Sequence, residues 1–179
     1  MASAPTHLVA TAAAATLFYR PQVPWHLWLA GAALAVAPDL DVIGFRYRIA
    51  YGDPLGHRGL SHSLAAAVAA SGLVVLLFYR HGAGSLTAVR AWLFLFLATA
   101  LHGVLDAFTN GGLGVAFLAP FSQERYFFPF RPIEVSPIGV RRFMTPAGLR
   151  VVANEALWVW LPAVVGGAAV LWYRMRGRT

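Results

Sequence analysis

The stretch that decides the fold is AWLFLFLATALHGVLDA, residues 91–107, an apolar segment that ends in two ionisable side chains. As a helix rising about 1.5 Å per residue it reaches about 25 Å, close to the hydrocarbon core of a bilayer, about 30 Å. His102 and Asp106 lie four residues apart, so on a helix both side chains project from one face. Because such groups are costly in or near a bilayer, they usually serve a function there.

The composition indicates a membrane protein. The chain has 179 residues, of which 59% are hydrophobic and 12% charged, whereas soluble proteins average about 25% charged residues. This length suits a single domain, residues 1–179. Without cysteine, any metal site must use nitrogen and oxygen ligands. The net charge of +7 comes from arginines scattered among apolar segments, which argues against a nucleic-acid-binding surface.

Five apolar stretches predict an all-α, multi-pass helical bundle. The first two are short and are typical of a tight helical hairpin, whereas the other three are long enough, or nearly so, to span a bilayer. The five stretches cover residues 6–19, 25–37, 61–79, 91–107 and 155–173.

A long irregular loop is predicted over residues 108–154. It is rich in Gly, Pro, Arg and aromatic residues, with the centre APFSQERYFFPFRPIEVSPIG. Long loops without periodicity are often functional, and aromatic residues beside arginines favour the headgroup region. Arg125 in this loop either binds a substrate phosphate or anchors among the headgroups.

Helix direction brings the scarce polar residues to one end of the bundle. If consecutive helices alternate in direction, the first helix begins at that end and the second finishes there, and the same holds for each later helix. The groups predicted at this end are His7, the string PDLD (residues 38–41), His62, His102, Asp106 and Glu155. The opposite end receives Arg20, His26, Arg80, His81, Arg90 and the C-terminal arginines.

Two further strings point to metal chemistry. In PDLD, Asp39 and Asp41 can aim at a common cation, although ordinary turn or capping chemistry also favours Asp. In HRGLSHS, residues 57–63, Ser61 is predicted to cap the next helix and to place His62 in its first turn. There the helix dipole would favour the neutral imidazole that metals bind.

These strings together predict a metal centre. Six nitrogen and oxygen ligands exceed what one zinc ion takes and suit two ions, with Zn²⁺, Mn²⁺ or Fe²⁺ compatible. Such a centre would activate water and clamp phosphoester oxygens. The predicted ligands are Asp39, Asp41, His57, His62, His102 and Asp106, and His7 is either a seventh ligand or an interfacial residue.

Three further residues have predicted roles beside the metal. Arg58 is a catalytic candidate that would orient a substrate phosphate, or else it anchors among the headgroups. Thr109 would lie on the substrate side or support the ligands, unless it only closes the helix. Glu155 is a catalytic acid/base or ligand candidate, although a first-turn Glu is also favoured by the helix dipole.

The ordered strings THL, PDLD, HRGLSHSL, HGVLDAFTNGG and APFS resemble the YdjM-like family of membrane-bound metal-dependent hydrolases. The resemblance covers residues 6–125 and implies a bacterial inner-membrane protein, in some members under LexA regulation. It also implies that the predicted ligands, including His7, form the family's metal site. The family is distantly similar to zinc phospholipase C, which implies phosphoester hydrolysis by analogy of fold.

The leading hypothesis is a metal-dependent hydrolase acting on a phospholipid or other lipid phosphoester. A metal-ion transporter is the first alternative, but a pathway needs polar residues at several depths. A non-catalytic membrane factor with a structural metal is the second. Six arginines at one end against eight at the other only slightly favour a cytoplasmic site.

Overall fold

The computed structural model describes residues 1–176, and this part of the chain is helical without any strand. This confirms the predicted all-α membrane fold. Three helical stretches are long and apolar enough to cross a membrane, namely Trp25–Tyr47, Ala88–Ala107 and Pro146–Arg176. The helices are α1 Ala4–Phe18, α2 Trp25–Val36, α3 Leu64–Val74, α4 Ala88–Ala107, α5 Val140–Phe143, α6 Pro146–Glu155 and α7 Leu161–Arg176.

The second α-helix ends at Val36, next to its predicted end at residue 37, but the chain stays helical beyond Pro38. Helix α2 continues directly into a 3-10 helix, Ala37–Tyr47, in which Pro38 occupies the first turn. Proline is tolerated there because its missing N–H has no partner within that turn. The continuation brings α2 to spanning length, whereas α3 with its π-helical turn Val75–Tyr79 stays short.

The last helix begins earlier than predicted. It starts at Pro146, not at Glu155, so the irregular loop ends at residue 145 and contains the short α5. Thr145 precedes the helix in an extended conformation and Pro146 opens it, a position that suits proline. Residues 146–155 form an amphipathic helix with only one face buried. Because its other face is polar, a search for apolar stretches does not detect this helix.

Helix α4 is the centre of the bundle, where it packs against α1, α2 and α3. Away from the predicted site, Phe94 and Leu95 of α4 pack with Leu27 of α2 in an apolar core. Gly31 allows this close packing, because a Cβ atom there would lie 2.5 Å from Cζ of Phe94.

The loop after α4 folds over the helix ends. Val115 and Tyr126 pair through two backbone hydrogen bonds, each 2.9 Å long. The N–H of Phe128 donates to the carbonyl of Ala107 at the end of α4. Phe121, by contrast, is 91% exposed. The loop therefore closes the site end of the bundle and carries aromatic side chains outward, as expected for a segment among headgroups.

Candidate metal centre

Four predicted ligands come together where the helices meet. Asp39 comes from the 3-10 helix, His62 from the turn Leu60–His62, and His102 and Asp106 from the last turns of α4. Each offers a ligand atom, and the four atoms lie within 4.8 Å of one another. The two imidazoles and Asp106 are fully buried.

Four of the six separations between these atoms are close to those in a four-coordinate metal site. The Nε2 atoms of His62 and His102 are 3.1 Å apart. Oδ1 of Asp39 lies 3.3 Å from Nε2 of His102 and 3.7 Å from Nε2 of His62, and Oδ2 of Asp106 lies 3.6 Å from the latter. Tetrahedral coordination at bond lengths of about 2.0–2.1 Å puts neighbouring ligand atoms about 3.3 Å apart.

The outer nitrogens of both imidazoles already have partners. Nδ1 of His102 is 2.7 Å from the carbonyl oxygen of Ala35, to which it donates. Nδ1 of His62 is 2.9 Å from Oγ of Ser61 and 3.2 Å from Oδ2 of Asp41. The facing Nε2 atoms of the two rings therefore need a proton or a metal ion between them. Hydrogen bonds of this kind hold metal-binding imidazoles in other proteins.

The surroundings favour a positive charge at this point. Burial lowers the pKa of His62, but the carboxylates of Asp106, Asp39 and Asp41 outweigh burial and raise it to about 10. Both oxygens of Asp39 are buried without a hydrogen-bond partner in the described chain. A bound cation would supply the positive charge and would be a partner for the oxygens of Asp39, so the residues present fit a divalent metal.

Asp41, His57 and His62 form a second, adjoining group. Oδ1 of Asp41 lies 2.6 Å from Nδ1 of His57, and its Oδ2 accepts from Oγ of Ser61 at 2.5 Å. Nε2 of His57 is buried without a hydrogen-bond partner. His62 therefore belongs to both groups, with Nε2 facing one and Nδ1 the other.

Arg58 is turned inward. It is fully buried, and its backbone is in the left-handed region, at φ +62°. Its Nε donates to Oδ2 of Asp106, its Nη1 to the carbonyl of Gly111 and its Nη2 to Oγ1 of Thr109, each at 2.9 Å. Thr109 is itself buried and donates to the carbonyl of Asp106. Both residues thus support Asp106, and their predicted roles toward a substrate stay predictions.

The start of α1 lies against the same centre. The ring of His7 stacks on that of His102, with centroids 3.7 Å apart and planes 9° from parallel. Both nitrogens of His7 are buried without a hydrogen-bond partner, and Nε2 lies 3.7 Å from Oδ1 of Asp106. The N–H of Ala2 donates to that same oxygen at 2.6 Å.

Glu155 is one layer away from these ligands. Its buried carboxylate accepts from the N–H and the hydroxyl of Ser3 and, at 2.8 Å, from the hydroxyl of Thr6. It therefore ties the last helix to the start of α1, next to the segment that contacts Asp106. This position suits a supporting role, and Glu155 is absent from both ligand groups.

Arg125 also contacts protein. Its Nη1 donates to the carbonyl of His57 at 3.0 Å, and its Nη2 donates to the carbonyls of Tyr51 and Asp53 at 3.2 Å. These bonds brace the turn that precedes the HRGLSHS string. The predicted contact with a substrate phosphate stays a prediction.

Sequence reasoning missed which of the two serines, Ser61 or Ser63, caps the third helix. Ser63, not Ser61, caps α3, because its hydroxyl accepts the N–H of Ala66. Ser61 donates to Asp41, and His62 precedes α3, outside its first turn. The repeated serine in SHS was the available signal, since either serine can serve as the cap.

The model of the YdjM inner membrane protein family matches residues 1–179. This chain belongs to the YdjM family. Inner membrane protein YbcI of Escherichia coli (strain K12) is 42% identical over 154 residues, which cover 86% of this chain and 87% of that protein. No solved structure matches the chain. The YdjM-family chain is therefore an inner-membrane protein, and its helices meet at a cluster that could hold a metal ion.

Proposed function

We propose that this protein is a membrane-bound metal-dependent hydrolase that cleaves a phosphoester of a lipid or another membrane-proximal substrate. One observation carries the proposal: two imidazole nitrogens and two carboxylate oxygens converge within 4.8 Å of one another, at helix ends next to a loop with exposed aromatic residues. The family resemblance supports the same reaction class.

The ligand set is suited to hydrolysis. Nitrogen and oxygen donors of this kind accept Zn²⁺, Mn²⁺ or Fe²⁺, and such a cation supplies Lewis acidity to water and to a phosphoryl oxygen. Asp39 and Asp106 would hold it with His62 and His102. Arg58, paired with Asp106, holds that carboxylate in place.

The distribution of polar groups argues against an ion pathway. Ser71 and Thr99, buried farther along the helices, donate to carbonyls of their own helices. Among the described residues, the groups able to hold a metal all lie at the site end. A transporter needs ligands at several depths, so the hydrolase is the better supported function.

The experiment measures metal content and phosphoester cleavage together. The full chain is purified in detergent, analysed for metal, and assayed on vesicles carrying headgroup-labelled phospholipids, before and after chelation. We expect metal-dependent headgroup release that Asp39→Asn and His102→Ala abolish and that His26→Ala, at the opposite end, retains. Metal binding without cleavage of any lipid or soluble phosphoester would favour a structural metal, and absence of bound metal would refute the proposal.

A further inference from the structure

The side of the His62 ring on which Asp41 lies sets it apart from Asp39 and Asp106. Asp39 and Asp106 lie 3.7 Å and 3.6 Å from Nε2 of His62, whereas Asp41 lies 3.2 Å from Nδ1 of the same ring. Oδ1 accepts from Nδ1 of His57, and Oδ2 accepts from Ser61 and, at 3.3 Å, from the N–H of Arg58. Asp41 therefore lies on the Nδ1 side of His62, outside the group of four ligand atoms that contains Nε2.

The two histidines beside Asp41 turn the same nitrogen toward it. Because the Ser61 hydroxyl donates its only hydrogen to Asp41, it accepts from Nδ1 of His62. Nδ1 of His57 also faces Asp41, at 2.6 Å. A second ion held by Asp41, His57 and His62 would have to displace these hydrogen bonds, or to take Nδ1 of His62 while Nε2 serves the first ion.

The charges of the centre balance one divalent ion. Asp39, Asp41, Asp106 and Glu155 contribute four negative charges, and Arg58 and the buried N-terminal ammonium of Met1 contribute two positive charges, which leaves −2. One divalent cation neutralises this sum, whereas two would leave +2 in a mostly buried cluster. Uncompensated buried charge is strongly unfavourable.

We propose that the centre holds one divalent ion, ligated by Asp39, His62, His102 and Asp106, and that Asp41 is a positioning residue. Asp41 fixes Nδ1 of His62 and thereby aims Nε2 at the metal, and it holds His57 beside the metal without making it a ligand. This inference rests on the proposed metal centre, and it replaces the two-ion centre expected from the sequence.

The test is metal stoichiometry and affinity on the full chain in detergent, with Zn²⁺ and Co²⁺ as probes. We expect one equivalent per chain in the wild type, in Asp41→Asn and in His57→Gln. Removal of a group that hydrogen-bonds a metal ligand lowers metal affinity about 10–100-fold, so we expect a loss of this size in Asp41→Asn. Asp39→Asn, which removes a ligand, is expected to lose more.

Cobalt spectra separate a positioning role from a merely structural one. Four-coordinate Co²⁺ absorbs much more strongly than six-coordinate Co²⁺, so an unchanged band intensity in Asp41→Asn would show that its ligands are intact. Two equivalents in the wild type that fall to one in His57→Gln would overturn the inference, and this outcome does not require that the Asp41 variant folds. Absence of metal from every variant and the wild type would refute the metal centre itself.

Discussion

The two ends of the bundle use histidine in opposite ways. At the far end, Nδ1 of His26 bonds the hydroxyl of Tyr79 at 2.8 Å beside an apolar core, and Arg174 donates to the last carbonyls of α1. At the site end, His62 and His102 face carboxylates. Chain direction places all seven acidic residues at the site end. A histidine becomes a metal candidate here through its acidic neighbours, because they supply the charge that a cation needs.

The largest difference between the ends is expected on removing a buried carboxylate. Asp106→Ala leaves the guanidinium of Arg58 buried and unpaired, which should lower the free energy of unfolding by about 3–5 kcal/mol. Denaturant titration in detergent micelles measures it. Replacing both residues, as Arg58→Met with Asp106→Leu, should recover part of the loss. A cost in Asp106→Ala no greater than that of His26→Ala would contradict the comparison.

Metal removal should destabilise the protein only through the site end. A ligand at 100 times its Kd stabilises the folded state by about 2.7 kcal/mol, so chelation should lower the thermal midpoint of the wild type. His26→Ala should respond like the wild type, whereas His102→Ala should not respond. Equal responses in these two variants would show that the metal binds elsewhere.

The next largest effect is expected on breaking the contact between the start of the first helix and the last helix. Glu155→Ala leaves the N–H and the hydroxyl of Ser3 without their acceptor, and each buried unsatisfied group costs about 1–3 kcal/mol. We expect a lower thermal midpoint and weaker metal binding, partly recovered in Glu155→Gln. Unchanged metal affinity in a destabilised Glu155→Ala protein would limit this residue to holding the helices.

The smallest effect is expected at the far end. Tyr79→Phe removes one hydrogen bond to His26, worth about 1 kcal/mol, and should leave metal content unchanged. Thermal unfolding and elemental analysis of the same preparation test both parts. Loss of metal in this variant would break the distinction between the ends.

Much of this arrangement could be predicted from the sequence. The spacing of His102 and Asp106 in an apolar helix, with alternating helix direction, predicted which groups meet at one end. The inward course of Arg58 could not be predicted, because it depends on a left-handed backbone and on acceptors from Asp106 to Gly111. The hydrogen bonds to both oxygens of Asp41 could not be predicted either. They depend on where the Ser61 hydroxyl points, and helical periodicity does not determine this.

The contact between Ser3 and Glu155 also has a consequence for folding during synthesis. It joins residues 152 positions apart, so the opening segment finds its anchor only after nearly the whole chain has been synthesised. The other contacts of this segment, from Ala2 to Asp106 and from His7 to His102, need only the chain up to the end of α4. The last helix therefore adds the final contact to the segment that lies on Asp106, and a chain cut short before that helix would lack this contact.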